Sequence, residues 1–209
     1  MMKKAILFLS CFVMIAATFA QQSEILTDSR DGKQYKTVEI GDQVWMAENL
    51  NYETTSGSWC LDDKPENCNS FGKLYTYTEA VNACPDGWHL PSDDEFITLE
   101  IKLGMSADEA GKTGFRGMNV GTGLKSDSGW LNDGNGNNSS GFNALPACYR
   151  SPEGVTDKTG IYAYFWTSTK KEEVKAYVRN LYYGGYSGSK VYRQVYDINY
   201  AFSVRCLKD

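Results

Sequence analysis

Six cysteines in a chain with a single histidine constrain this sequence more than any other feature. Five of them, Cys60, Cys68, Cys84, Cys148 and Cys206, lie downstream of an N-terminal leader. Lys3 and Lys4 precede an almost unbroken apolar run over residues 5–17, and Thr18-Phe19-Ala20 places small residues where a signal peptidase reads. A signal peptide at residues 1–20 is therefore predicted, with Gln21 as the mature start. Spanning a bilayer takes roughly 20 apolar residues, so no transmembrane anchor is expected after cleavage. Cys11 sits in mid-run with apolar residues after it, which disfavours lipidation there. Export into an oxidising space makes disulfides the default. Zinc is a poor alternative, because no C-x-x-C is present and His89 is the only imidazole. Five thiols allow two bridges with one left over, and spacing alone leaves the pairing open.

The chain carries a formal net charge of −5, and loss of the leader removes Lys3 and Lys4 but no acid. Such a surface, with scattered charges, lacks the electrostatic footprint of a nucleic-acid or anionic-membrane binder. The mature length suits one domain, read as an N-terminal arm at 21–30 and a domain at 31–209. With 20 glycines and 14 tyrosines, it reads as a turn-rich globular protein, secreted or held at the cell surface or in the periplasm.

Along the chain, residues 31–50 read as two strands about Gly41-Asp42, since glycine accepts positive φ at no steric cost. Residues 51–70 form a polar loop that Cys60 and Cys68 are able to close on itself. A helix is predicted over 76–83, stopped by Pro85. A better specified one follows Ser92, an N-cap with Glu95 three residues on, and ends at Gly104. One more turn is expected at 106–110. Residues 111–141, rich in Gly, Asn and Ser, read mostly as loop. Residues 142–149, 162–169, 174–183, 190–196 and 201–206 are rich in aromatic and β-branched residues and read as strands. Early helices and late antiparallel strands make the fold α+β.

Several segments carry a resemblance. Asp31-Gly32-Lys33-Gln34-Tyr35, Gly41-Asp42-Gln43-Val44-Trp45-Met46-Ala47-Glu48-Asn49-Leu50 and Cys84-Pro85-Asp86-Gly87-Trp88-His89-Leu90-Pro91-Ser92 resemble the Fibrobacter succinogenes major paralogous domain. So do Gly141-Phe142-Asn143-Ala144-Leu145-Pro146, Phe165-Trp166-Thr167-Ser168-Thr169 and Phe202-Ser203-Val204-Arg205-Cys206. The family consists of exported bacterial proteins. The stretch Gly87-Trp88-His89-Leu90-Pro91 is also similar to a segment of formylglycine-generating sulfatase-modifying enzymes, which implies a C-type-lectin-like fold: two helices packed on antiparallel strands, loop-rich and disulfide-stapled. The resemblance further implies a Cys84–Cys206 bridge, with Cys60–Cys68 as the second. Cys148 is then left over, at a position where the family more often has glycine; an exposed Cys148 would support an intermolecular bridge.

No catalytic constellation is expected. His89 would have to serve any imidazole mechanism, yet no nucleophile and orienter accompany it in the sequence. The sulfatase modifiers work through a close cysteine pair near the C-terminus, where Cys206 stands alone. Asp133, Asn135 and Asn137 alternate as in a calcium loop, and Trp130-Leu131-Asn132-Asp133 resembles a lectin calcium motif with one extra residue; a weak calcium site is the most this supports. Tyrosines cluster late in the chain. Tyr183 and Tyr186, flanking Gly184-Gly185, are the ones expected at the surface, where a flat ring plus a hydroxyl suits sugars and protein partners. The candidate ligand-binding residues are thus Tyr183, Tyr186, Trp130 and Asp133. The function expected is a non-enzymatic binding or adhesion module for a polysaccharide or a surface protein. The alternatives are an oxidase of the formylglycine-generating kind, or a structural envelope protein.

Overall fold

The computed structural model describes residues 24–157 and 159–209. The predicted signal peptide at residues 1–20 lies outside them. The described part of the N-terminal arm is an edge strand, β1 (Ile25–Thr27), paired with β2 (Gln34–Ile40). In β2 the side chains of Tyr35, Thr37, Val38 and Ile40 are buried while Gln34, Lys36 and Glu39 face water. β3 (Gln43–Met46) returns antiparallel across Gly41, whose φ of +64° gives the turn its hand.

Next come β4 (Ser58–Trp59), α1 (Pro65–Phe71), β5 (Leu74–Thr76), α2 (Tyr77–Ala80) and β6 (Trp88–His89). The helical half continues with α3 (Asp93–Lys102) and α4 (Ala107–Ala110), then β7 (Gly114–Arg116) and α5 (Val120–Leu124). The strand-rich end is β8 (Tyr162–Glu172), β9 (Lys175–Tyr182), β10 (Val191–Asp197), β11 (Ala201–Ser203) and β12 (Leu207–Lys208). The smaller sheet has the order β1-β2-β3-β12-β6 and the larger β4-β5-β11-β8-β9-β10-β7. The fold is α+β and mostly sheet. Among the described residues no helix is long and apolar enough to cross a membrane.

The larger sheet carries a core on each face, as strand alternation requires. One face contributes Ala163, Phe165, Leu181 and Val191 to a cluster with Trp45, Phe96, Leu99 and Phe142. The opposite face contributes Tyr164, Trp166, Ala176 and Val178, which pack with Tyr77, Leu90 and Phe202. The helix α3 lies on the first face and starts as expected. Ser92 Oγ accepts from Glu95 N at 3.2 Å, and Ser92 N donates to Glu95 Oε2 at 2.7 Å. Asp93 and Glu100 lie on the buried side of α3 and meet three arginines of the larger sheet. Arg179 binds Asp93 and Glu100, both at 2.7 Å, Arg116 binds Glu100 at 2.6 Å, and Arg193 binds Asp93 at 2.5 Å.

Several expectations are corrected. The helix expected at 76–83 is the short α2 alone, and the polar loop at 51–70 contains α1, begun by Pro65 at the position where proline is tolerated. Among the described residues there are five short helices; α3 and α4 fall where a helix and one more turn were expected, and α1 and α5 are additions. Residues 111–141 include β7 and α5. Residues 142–149 form no strand, because Asn143 and Cys148 take left-handed φ values of 53° and 59°, and only isolated bridges from Ala144 and Cys148 remain. The β11–β8 pair is parallel, so the larger sheet is mixed.

The disulfides are Cys60–Cys68 and Cys84–Cys206. The second spans a sequence separation of 122, which on the chain-entropy model stabilises by roughly 4–5 kcal/mol. Cys148 is free and fully buried, and burial pushes its thiol up to about 12. An exposed thiol for intermolecular bridging is therefore not what the fold provides. Its positive φ is one that glycine adopts without a Cβ clash, in keeping with the glycine that the resemblance implies at this position.

Candidate functional site

Two segments about fifty residues apart in sequence line one shallow, polar, solvent-open cleft with a volume of about 210 Å³. One is the loop after α5, which supplies Asn132, Asp133 and Asn135; the other is the turn after β9, which supplies Tyr183 and Gly184. The loop folds back on the end of α5 through main-chain bonds. Gly136 N donates to Ser126 O at 2.8 Å and Asn137 N donates to Thr122 O at 3.0 Å. Backbone packs directly on backbone here. A Cβ on Gly134 would lie 1.8 Å from Tyr183 O, and one on Gly136 would lie 2.4 Å from Lys125 O. Only glycine permits that approach, which is what the glycine richness of this stretch is for.

The sequence candidates fall into three positions. Asp133 is exposed and Tyr183 half-buried, and both line the cleft. Tyr186 is on the neighbouring turn, 74 % exposed, with Lys190 Nζ 3.7 Å above its ring, but it lies outside the cleft lining. Trp130 is buried in the core. Its indole N–H donates to Ser126 Oγ at 3.0 Å, and its backbone N–H donates to Asn135 Oδ1 at 3.0 Å. It therefore shapes the loop from beneath instead of presenting a face to a ligand.

Lys125, absent from the sequence-based candidates, also lines the cleft and is only 2 % exposed. Its Nζ donates to Gly134 O at 2.5 Å and to Tyr182 O at 3.2 Å, and lies 4.9 Å from the centre of the Trp130 ring. It ties the loop to the end of β9. Burial pulls its pKa down to about 8, because the charged form has lost its water. A lysine within a Gly/Ser-rich stretch gives no periodic signal of burial; its apolar neighbours Leu124 and Trp130 were the only hint.

Other tyrosines make a half-exposed patch on the second face of the larger sheet. Tyr149, Tyr164, Tyr196 and Tyr200 form a closed circuit of ring contacts at 4.9–5.9 Å, with Tyr164 buried and the rest half-buried. Tyr182 leans on Tyr183 at 4.5 Å, and the hydrogen bond between their hydroxyls raises the Tyr182 pKa to about 12.

His89 is held between Asp209 Oδ1 at 2.6 Å and Glu95 Oε1 at 3.0 Å. Partial burial works against its charged form, but the bonds to the two carboxylates outweigh it and raise the pKa above the ordinary value. Both ring nitrogens are thus engaged in tying α3 to the C-terminus. Among the described residues no group of three or more His, Cys, Asp or Glu is placed to hold a metal ion. In the cleft, Asn135 Oδ1, one of the oxygens the calcium reading would use, already accepts from Trp130 N.

A disulfide-bridged α+β domain with a polar, tyrosine-edged cleft is the class these features define. The chain belongs to the Fibrobacter succinogenes major domain family, whose model matches residues 38–208. Neither a curated protein nor a solved structure matches it.

Proposed function

We propose that this chain is an exported, non-enzymatic polysaccharide-binding module with a C-type-lectin-like fold, acting outside the cytoplasm, and that its binding site is the cleft between the Asp133 loop and the Tyr183 turn. The observation that carries this reading is the convergence of an exposed carboxylate, amide side chains and the half-buried Tyr183 on one open polar cleft. Sugars offer hydroxyls to acids and amides, and a C–H face to an aromatic ring. Two disulfides support an oxidising compartment. The non-enzymatic reading is supported by the state of the cysteines: Cys206, which a sulfatase-modifier chemistry would need as one of a reduced pair, is bridged to Cys84. The tyrosine patch around Tyr196 and Tyr200 favours a second reading, a protein-contact surface, since half-buried tyrosines are common in interfaces.

The test is retention of residues 21–209 on a panel of immobilised polysaccharides, with and without a chelator. Binding that survives the chelator and drops about tenfold or more in Tyr183→Ala and Asp133→Ala is expected, in the range that losing a stacking ring or a hydrogen bond to a charged group costs. Binding unchanged by both substitutions but lost in Tyr200→Ala would move the site to the tyrosine patch.

A further inference from the structure

The wall of the cleft contains a buried cation that, among the described residues, no carboxylate pairs. Arg116, Arg179 and Arg193 are each buried against Glu100 or Asp93, and the buried Lys73 pairs with Glu53 at 2.7 Å. Arg205, buried without a carboxylate bond, has oxygen acceptors on Asn49, Met46, Phe142 and Asn143 around its guanidinium. Lys125 shares with Arg205 the lack of a carboxylate bond but, unlike Arg205, lines an open cleft. Among the described residues it forms no ion pair, and its hydrogen-bond acceptors are the carbonyls of Gly134 and Tyr182, two for an ammonium that carries three N–H groups. Burial lowers its pKa. An uncompensated cation in the interior is costly, and in the wall of a ligand cleft it is relieved when the ligand brings an anion.

Resting on the polysaccharide reading above, we infer that the cleft takes a uronic-acid residue, its carboxylate paired with Lys125. The remaining contacts then follow from the same lining. Asp133 and Asn132 meet ring hydroxyls, and Tyr183 meets the apolar face of the pyranose. Long-range attraction plays no part, because the chain is itself acidic and repels a polyuronate. Selectivity must therefore come from the short-range pair.

The experiment compares polygalacturonate with the same polymer fully methyl-esterified, and with a neutral glucan, all in chelator so that calcium does not bridge acid groups. Wild type, Lys125→Met and Lys125→Gln are used, each checked for its thermal transition and both disulfides. Wild type is expected to prefer the free acid over the ester by about tenfold or more, the scale of one charge-assisted bond, and both variants to lose that preference. Raising the pH from 7 to 9.5 is expected to weaken acid binding in wild type as Lys125 loses its proton. Equal binding of acid and ester by wild type would overturn the role of Lys125 while leaving the polysaccharide reading standing. Failure to bind any of the panel would overturn the polysaccharide reading, and this inference with it. If neither variant folds, the wild-type ratio of acid to ester decides the matter alone.

Discussion

The seam between α3 and the larger sheet and the wall of the cleft both bury cations, and they do so in opposite ways. In the seam, Asp93 and Glu100 are surrounded by Arg116, Arg179 and Arg193, and among the described residues no buried side-chain polar atom lacks a hydrogen-bond partner. In the cleft, Lys125 has two neutral carbonyls and the Trp130 ring around it, and no carboxylate. A paired interior network holds two elements in register, and removing one member leaves a charge stranded. A cation without a carboxylate beside an open cleft is, on the proposal above, free to pair with an anionic ligand. Similar burial thus marks a fastener in one place and a candidate site in the other.

The comparison is broken most severely from the seam side. Glu100→Gln leaves Arg116 without its carboxylate and Arg179 with Asp93 alone, and is expected to destabilise the chain by about 3–5 kcal/mol in urea unfolding. A cost below about 1 kcal/mol would mean that the seam is as loosely paired as the cleft. On the cleft side, Lys125→Met removes a desolvated charge but also the donor to the Gly134 and Tyr182 carbonyls, so its cost at pH 7 is expected to be well below that of Glu100→Gln.

The pH dependence sharpens the contrast further. Lys125 has a folded pKa of about 8, against roughly 10.4 for an unperturbed lysine. Between those values the unfolded chain holds a proton that the folded chain has released, so wild-type stability gains from rising pH in that window. The gain should be missing from Lys125→Met, and the difference between the two unfolding curves isolates it from the tyrosines.

The smallest effect is expected at His89. Its folded pKa is raised by Asp209 and Glu95 against partial burial, so its contribution is complete below about pH 6.5, the unperturbed value, and is lost as pH rises through the folded pKa. With 38 % of the side chain exposed, solvent screening keeps this under about 1 kcal/mol. His89→Gln should flatten the stability profile in that range while leaving the cleft unaffected.

What could be read from the sequence was local. The Ser92–Glu95 capping box, the Gly41 turn and the aromatic runs that became β8, β9 and β10 are all carried by neighbouring residues. Spacing alone left the disulfide pairing open; the family resemblance implied the pairs that formed. The run at 142–149 failed as a strand because Asn143 and Cys148 adopt left-handed conformations, which β-propensity does not register. Asp133 and Tyr183 were each visible as candidates. Their meeting was not, because it depends on Gly134 packing against the Tyr183 carbonyl across about fifty intervening residues. Trp130 misled for the usual reason: an aromatic residue in a polar loop looks like a contact residue until its burial is known. Lys125 could not be found from sequence, since an uncompensated charge is defined by what fails to surround it.

The most direct measurement is the pKa of Lys125 itself, followed by NMR of the side-chain Cε and Nζ signals in the folded chain, with and without oligogalacturonate. A value near 8 in the free chain that rises toward the ordinary lysine range on adding the ligand is the expected result. An ordinary lysine value in the free chain, or a depressed value that the uronate leaves unmoved, would contradict the assignment of this cleft to an acidic sugar.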